Sequence, residues 1–357
     1  MNQEILQQIT ELSHEFGTSD YVKGGGGNSS AKDGESVWVK PSGTTLSGIT
    51  ADDFVPLRRS DIEAVFEFQP SADPAEREAK VKELMAAAVM DNTKGRPSVE
   101  APLHHCFDAT YVVHTHPPLV NGMLCGKKGS ESAARMFPDA LWIDYIDPGY
   151  SLAVAVRERV EEYAAEHERQ PDKIFIQNHG LFVAGDTAEE VRASYKKVME
   201  QLRDYYQKNE VDIVLQVGTA PSEKHVEEVQ DVFKKVQGQD AECIEAGGPC
   251  NVPHGPLTPD HIVYMKSHAL FAEPSVAKLG EFFDEHGYYP AVVSVDDGVF
   301  ALASTEKQAR LALELALDGG LVEQLASAFG GVNYMSDDAR IFIENWEVEA
   351  YRKEQAK

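Results

Sequence analysis

The sequence predicts an α/β protein in two parts, a larger N-terminal domain and a smaller C-terminal α/β region. Short apolar runs of the kind that form buried strands, Tyr111-Val112-Val113 and Ile174-Phe175-Ile176, alternate with segments of helical period such as residues 3–16. The chain has 357 residues, 42% of them hydrophobic, ample for two domains or for one large domain with an appendage. Near residue 210 the character changes to a polar connection, and the expected domains are residues 1–215 and 216–357.

The elements follow in order. Ile5, Ile9, Leu12 and Phe16 recur every three or four residues, one face of a helix over 3–16. Lys23-Gly24-Gly25-Gly26-Gly27-Asn28-Ser29-Ser30-Ala31-Lys32 can wrap closely around an anion or serve as a plain linker. It is neither a GxGxxG nor a Walker A loop. Val37–Lys40 reads as a strand and Pro41-Ser42-Gly43-Thr44 as a turn carrying two hydroxyls. Segment 67–76 reads as an exposed loop, 77–90 as a helix with Val81, Leu84 and Met85 inward. Ser98 and Glu100 precede a short helix, where Ser98 fits an N-cap and Glu100 favours the positive helix end. Glu100 fits equally a fourth metal ligand or a general base, while His104 and His105 read as structural or helix-surface residues. Residues 135–150 form a strand and turn with two tyrosines, 151–168 a charged helix, and 181–185 a strand. A long helix then starts at Asp186-Thr187, with Thr187 and Glu190 in capping-box spacing.

The chemistry gathers around Tyr111-Val112-Val113-His114-Thr115-His116-Pro117-Pro118. Side chains repeat every two residues along a strand, so His114 and His116 share a face, and the proline pair ends the strand beside them. A second apolar strand, 174–176, leads into Gln177-Asn178-His179-Gly180 and supplies a third histidine at a strand end. Three neutral imidazoles with an open fourth position are what a catalytic zinc ion needs. In the C-terminal part a strand over 291–295 and a helix over 305–317 stand out. Asp296-Asp297 beside Gly298 fit metal ligands but read better as a solvated hairpin turn, and His254, His261 and His268 cannot share one helix.

Composition excludes several partners. A formal net charge of −26 argues against nucleic acid and anionic membranes, so any phosphate must be met by local positive potential. Cys106, Cys125, Cys243 and Cys250 show no metal or disulfide spacing and read as reduced thiols. The start of the chain lacks a secretory pattern and no apolar run is long enough for a membrane span, which points to a cytoplasmic protein.

Five motifs in order, Gly-Asn-Ser-Ser-Ala (27–31), Lys-Pro-Ser-Gly (40–43), Pro-Ser-Val-Glu (97–100), His-Thr-His-Pro (114–117) and Asn-His-Gly-Leu (178–181), resemble the class II aldolase/adducin family over roughly residues 5–210. Residues 225–357, with Leu257-Thr258-Pro259-Asp260-His261 and Glu344-Asn345-Trp346-Glu347, are similar to the middle region of the bifunctional rhamnulose-1-phosphate aldolase/dehydrogenases. The resemblance implies α/β/α layers with a largely antiparallel central sheet, and a symmetric homo-oligomer, a tetramer, with sites between subunits. It implies one zinc ion per subunit on His114, His116 and His179, with Glu100 a ligand until substrate arrives and then the base. Asn28, Ser42, Gly43 and Ser98 match positions that cradle a substrate phosphate. Tyr145 resembles a tyrosine that gives a proton to the aldehyde oxygen in the neighbouring subunit's site.

Two departures bear on the substrate: Val99 replaces a serine common in fuculose phosphate aldolases, and Gly25 replaces a threonine that contacts phosphate. The related 4-epimerases carry Asp where this chain has Glu100. The expected activity is therefore zinc-dependent retro-aldol cleavage of a fuculose- or rhamnulose-type ketose 1-phosphate to dihydroxyacetone phosphate and an aldehyde. The alternatives on this scaffold are a sugar-phosphate 4-epimerase, a dehydratase, a decarboxylase, or a non-catalytic adducin-like interaction protein.

Overall fold

The computed structural model describes residues 2–91 and 95–346. Two compact units make it up, one from residues up to Val120 together with Ser130–Leu202, the other from Asn121–Gly129 and the chain from Arg203 on.

The first half of the chain forms α1 (Asn2–Glu15), β1 (Asn28–Asp33), β2 (Ser36–Val39), β3 (Val55–Arg58), the single turns α2 (Arg59–Ile62) and α3 (Ala64–Glu67), and α4 (Pro74–Ala88). Next come α5 (Ala101–His105), β4 (Tyr111–Thr115), α6 (Pro118–Leu124), α7 (Gly129–Met136), β5 (Leu141–Ile143) and α8 (Tyr150–His167). The hairpin β6 (Lys173–Ile176) and β7 (Gly180–Gly185) follows, then α9 (Ala188–Lys208). Seven strands form one sheet in the order β3-β2-β1-β4-β7-β6-β5, antiparallel except for the β5–β6 pair. The largely antiparallel α/β expectation therefore holds.

Both faces of the sheet are covered. The face carrying Val112 and Phe182 packs on Leu103 of α5 and on Leu152, Val156 and Val160 of α8. Farther along it, Val37, Val39, Val55 and Leu57 meet Val81 and Met85 of α4. On the opposite face Ser13 of α1 hydrogen-bonds Ser29 at 2.7 Å, and Tyr195 of α9 stacks on Phe16 and bonds Thr115 Oγ1 at 2.9 Å. Burial on both sides is why β4 reads as a continuous apolar run rather than an alternating one.

Local chemistry sets the helix starts. Thr187 Oγ1 accepts from the Glu190 N–H at 3.2 Å, and Glu190 Oε2 accepts from the Thr187 N–H at 3.3 Å, the reciprocal capping box the spacing predicts. The helix expected from residue 77 starts earlier, at Pro74. Asp73 caps it by accepting from the Ala75 N–H at 2.8 Å, and proline suits the first turn because its missing N–H has no partner to lose there. Ser98 does not cap α5; its Oγ accepts from the Glu100 N–H at 3.3 Å. His104 and His105 are inside the protein, 0% and 6% exposed, and not on a helix surface.

Lys32 of β1 is 4% exposed, its ammonium donating to the Ala109 carbonyl at 3.1 Å. Burial, reinforced by the nearby Arg59 guanidinium, brings its pKa from 10.5 down to about 7. Between those values the unfolded chain binds the proton and the folded chain does not, so stability rises with pH there. Relative to Lys32→Met, the wild type is expected to gain about 1 kcal/mol per pH unit between about pH 7.5 and 9.5. Denaturant midpoints read this directly, and parallel pH curves for the two proteins would contradict it.

The second unit contains α10 (Glu223–Gln237), β8 (Cys243–Gly247), α11 (Pro259–Met265), α12 (Val276–His286), β9 (Val292–Val295), β10 (Gly298–Ala303), α13 (Glu306–Ala326) and α14 (Asp337–Asn345). Its sheet is antiparallel in the order β8-β10-β9, with Asp296-Asp297 at the β9–β10 turn. Leu311 and Leu315 of α13 and Met265 of α11 pack with Val292, Val299 and Ala301; Phe233 of α10 and Phe282 of α12 pack with Val293 and Phe300. The helix expected over 305–317 runs on through Gly319-Gly320 to Ala326. Glycine is needed there, since a Cβ on Gly320 would stand 2.0 Å from the Asn251 carbonyl oxygen. No helix among the described residues is long and apolar enough to cross a membrane.

Candidate metal centre

His114 lies near the end of β4, paired with Asn28 of β1 on one side and Phe182 of β7 on the other. Directly paired residues share a face, so the Asn28, His114 and Phe182 side chains come together. Phe182 stacks on the His114 ring at 3.8 Å between centroids. His114 Nδ1 lies 3.0 Å from the Leu181 carbonyl oxygen, which can only accept, so the proton sits on Nδ1 and the Nε2 lone pair is aimed away from it. Two residues on, the His116 N–H donates to the Tyr21 carbonyl at 2.8 Å. His179 arrives from the tight β6–β7 turn, where Asn178 takes φ +51°.

The three rings converge through Nε2. His114 and His116 Nε2 are 2.9 Å apart, and His114 and His179 Nε2 are 3.3 Å apart. Glu100 Oε1 completes the group, 3.2 Å from His179 Nε2 and 3.6 Å from His114 Nε2. Nitrogens held 2.0–2.1 Å from a tetrahedral ion stand roughly 3.3 Å from one another. The donor set and its spacing thus fit one tetrahedral divalent cation. Gly180 makes the approach possible, because a Cβ there would stand 2.4 Å from His116 Cδ2, 2.6 Å from the Thr115 oxygen and 3.0 Å from His114 Cε1.

Burial pushes the His114 imidazole well below its ordinary pKa, leaving it neutral as a ligand must be. Burial alone would raise the Glu100 carboxyl. The facing imidazoles of His114, His179 and His116 outweigh that and hold it well below the usual carboxylate range. Glu100 Oε2 accepts from the Asn28 side-chain amide, and Asn28 Oδ1 in turn lies 2.5 Å from His104 Nε2.

Ser42, Gly43 and Ser98 lie on two neighbouring segments, the second of which leads into Glu100. The Ser42 N–H donates to the Arg96 carbonyl at 2.9 Å, and the Ser98 N–H to the Lys40 carbonyl at 3.1 Å, so the 40–43 and 96–98 segments run side by side. The Ser42 hydroxyl donates to the Pro97 carbonyl at 3.4 Å, and Gly43 takes φ +85°. Tyr145 has other partners: its hydroxyl donates to Asp147 Oδ1 at 3.2 Å and its N–H to Gln177 Oε1 at 3.3 Å. Burial, with Asp147 adding to it, raises its pKa above the ordinary phenol value. Sequence reasoning missed His104 as a neighbour of the site. The period-two placement of Asn28 and Ser30 on one face of β1 was the available signal.

Among the described residues one other set of metal-ligand types meets, His225, Glu273 and Asp297. Its imidazole is divided, with Nδ1 2.8 Å from Asp297 Oδ2 and Nε2 3.3 Å from Glu273 Oε2. Burial would lower the His225 pKa, and the two carboxylates reverse that and raise it. An imidazolium donating one N–H to each carboxylate accounts for this arrangement.

Three histidines at the ends of strands and a carboxylate at the start of α5 thus meet on one mixed α/β scaffold, and sequence comparison places that scaffold in a family. The profile of the family described as the class II aldolase and adducin N-terminal domain matches residues 7–206, and the chain belongs to that family. Among curated proteins, the uncharacterized oxidoreductase YuxG of Bacillus subtilis is 25% identical over 191 residues, 51% of this chain and 26% of that one. The match thus spans only about a quarter of that relative's length. Methylthioribulose-1-phosphate dehydratase of Xenopus tropicalis is 27% identical over 196 residues, 52% of this chain and 76% of that one. Among solved structures, the N-terminal class II aldolase domain of a conserved Thermoplasma acidophilum protein is similar at 23% identity and TM-score 0.48, covering 56% of this chain and 92% of that one. An L-fuculose 1-phosphate aldolase is similar at 16% identity and TM-score 0.40, covering 62% and 92%.

Proposed function

We propose that this chain is a zinc-dependent aldolase that cleaves a ketose 1-phosphate of the fuculose or rhamnulose type to dihydroxyacetone phosphate and an aldehyde. The observation that carries the reading is the four-atom group of His114, His116 and His179 Nε2 with Glu100 Oε1, three imidazoles and one carboxylate at the spacing of a tetrahedral ion's ligands. Those four residues would hold the ion, which when bound supplies a Lewis acid for the ketone and adjacent hydroxyl oxygens of the substrate.

The chain's own groups do the rest. In cleavage the substrate C4 hydroxyl loses a proton as the C3–C4 bond breaks, and its electron pair passes into an enediolate. Glu100, freed when substrate takes its place, delivers a proton to C3; in the condensation direction it removes that proton. Tyr145, offered to a neighbouring subunit in a symmetric tetramer, gives its proton to the aldehyde oxygen in condensation; in cleavage it takes the C4 hydroxyl proton as its own passes to Asp147, the carboxylate its hydroxyl faces. Ser42, Gly43 and Ser98 take the phosphate. Asn28 joins them through its second amide hydrogen, the first being spent on Glu100.

A dehydratase is the second reading. It is favoured by the similarity to methylthioribulose-1-phosphate dehydratase, whose named substrate is also a ketose 1-phosphate. Both reactions use a metal and a base beside a carbonyl, so product analysis separates them. The test pairs metal analysis of native protein with an assay for dihydroxyacetone phosphate released from a panel of ketose 1-phosphates. Stoichiometric zinc with release from one deoxyketose phosphate is the expected result. Zinc with water loss and no carbon–carbon cleavage would replace the aldolase by the dehydratase.

A further inference from the structure

A buried polar chain runs from β1 into the metal centre, and it starts at a residue that neither ligates nor touches substrate. His104 is 0% exposed on α5, with Nδ1 2.8 Å from Ser30 Oγ and Nε2 2.5 Å from Asn28 Oδ1. Asn28 Nδ2 donates to Glu100 Oε2, and the other Glu100 oxygen faces His179 and His114. Phe182, stacked on His114, also meets the His104 ring edge-on at 5.4 Å, so one side chain packs against both imidazoles.

Proton bookkeeping gives this chain a direction. Burial brings the His104 pKa down to about 3, so the ring is neutral and owns one N–H. Asn28 Oδ1 can only accept, which places that hydrogen on Nε2 and leaves Nδ1 to accept from the Ser30 hydroxyl. With its oxygen held by His104, the Asn28 amide can turn only its NH₂ towards Glu100. The reverse orientation would set an amide oxygen against an ionised carboxylate with no proton between them.

We propose that His104 is a positioning residue that fixes the Asn28 amide and, through it, the orientation of Glu100 against the three metal-site imidazoles. The inference rests on the reading of Glu100 as ligand and base. A histidine buried only for packing would be satisfied by any polar replacement of similar size, whereas the positioning role needs a donor at the Nε2 place. Gln reaches that place and Asn does not, Asn keeping only a contact near Ser30.

The experiment compares His104→Gln and His104→Asn with wild type. Zinc affinity is measured by competition with a chelator, and kcat and KM on the ketose 1-phosphate that the wild type cleaves. His104→Asn is expected to bind zinc roughly tenfold or more weakly and to lose kcat by a similar factor with KM little moved, while His104→Gln stays within about threefold of wild type. Asn28→Ala should weaken zinc as much as His104→Asn, and the double variant should be no worse than either single one. Equal zinc affinities for the Gln and Asn variants would overturn the proposal, as would an additive double variant. Should His104→Asn fail to fold, unchanged zinc affinity in Asn28→Ala would overturn it alone. The zinc arm needs no substrate, so it decides the proposal even if no ketose 1-phosphate is cleaved; that second failure would tell against the aldolase reading only.

Discussion

His116→Ala is expected to give a folded protein that retains no stoichiometric metal and cleaves its substrate at least about 10³-fold more slowly, because Lewis-acid stabilisation of several kcal/mol is lost at 1.4 kcal/mol per decade. His116 is the residue to change because it is only partly buried and because one of its bonds, the N–H to the Tyr21 carbonyl, belongs to the backbone and survives substitution. His114 is a poorer choice. It is 0% exposed, stacked on Phe182 and bonded to the Leu181 carbonyl, so removing it opens a cavity and leaves a buried acceptor unpaired. Metal content after dialysis and initial rates on the same sample make the test. Undiminished turnover by metal-free protein would sink the metal-centred mechanism.

Glu100→Gln separates the metal from the base. The three imidazoles remain, and the new amide oxygen can still accept from Asn28, so bound metal should persist. What disappears is a group able to take and give a proton at C3, a loss of about 10²–10⁴-fold in kcat for a general base. The sharper readout is exchange of the C3 hydrogen of dihydroxyacetone phosphate with solvent deuterium, which needs the base and no aldehyde. Exchange should fall with kcat. Exchange at the wild-type rate in Glu100→Gln would assign the base to another group.

The meeting of the three histidines was legible because each sits in a local pattern with a fixed geometric meaning. His114 and His116 are two apart on an apolar strand, and Asn178-His179-Gly180 forms a tight turn between two further strands. The Thr187–Glu190 box likewise announced its helix. Of the two readings of His104, structural or helix-surface, the structure rules out the second. α5 has only five residues, too few for a hydrophobic period to reveal which face is buried, and both of its histidines are inside. The early start of α4 was missed because the polar run before residue 77 looked like loop, while Asp73 and Pro74 together open a helix.

By itself, then, the sequence determined the residue types at the centre, the elements that carry them and the α/β class, since these follow from side-chain periodicity and turn chemistry within a few residues. Only the tertiary structure decided which of these groups meet. The sheet order sets β1 beside β4 and β4 beside β7, opposing Asn28 to His114 and His114 to Phe182. That order brings Glu100 and His104 against residues more than seventy positions earlier in the chain, and Gly180 against two histidine rings. Contacts of that range come from how strands pair and helices cover them, and no local pattern of residues encodes the partner.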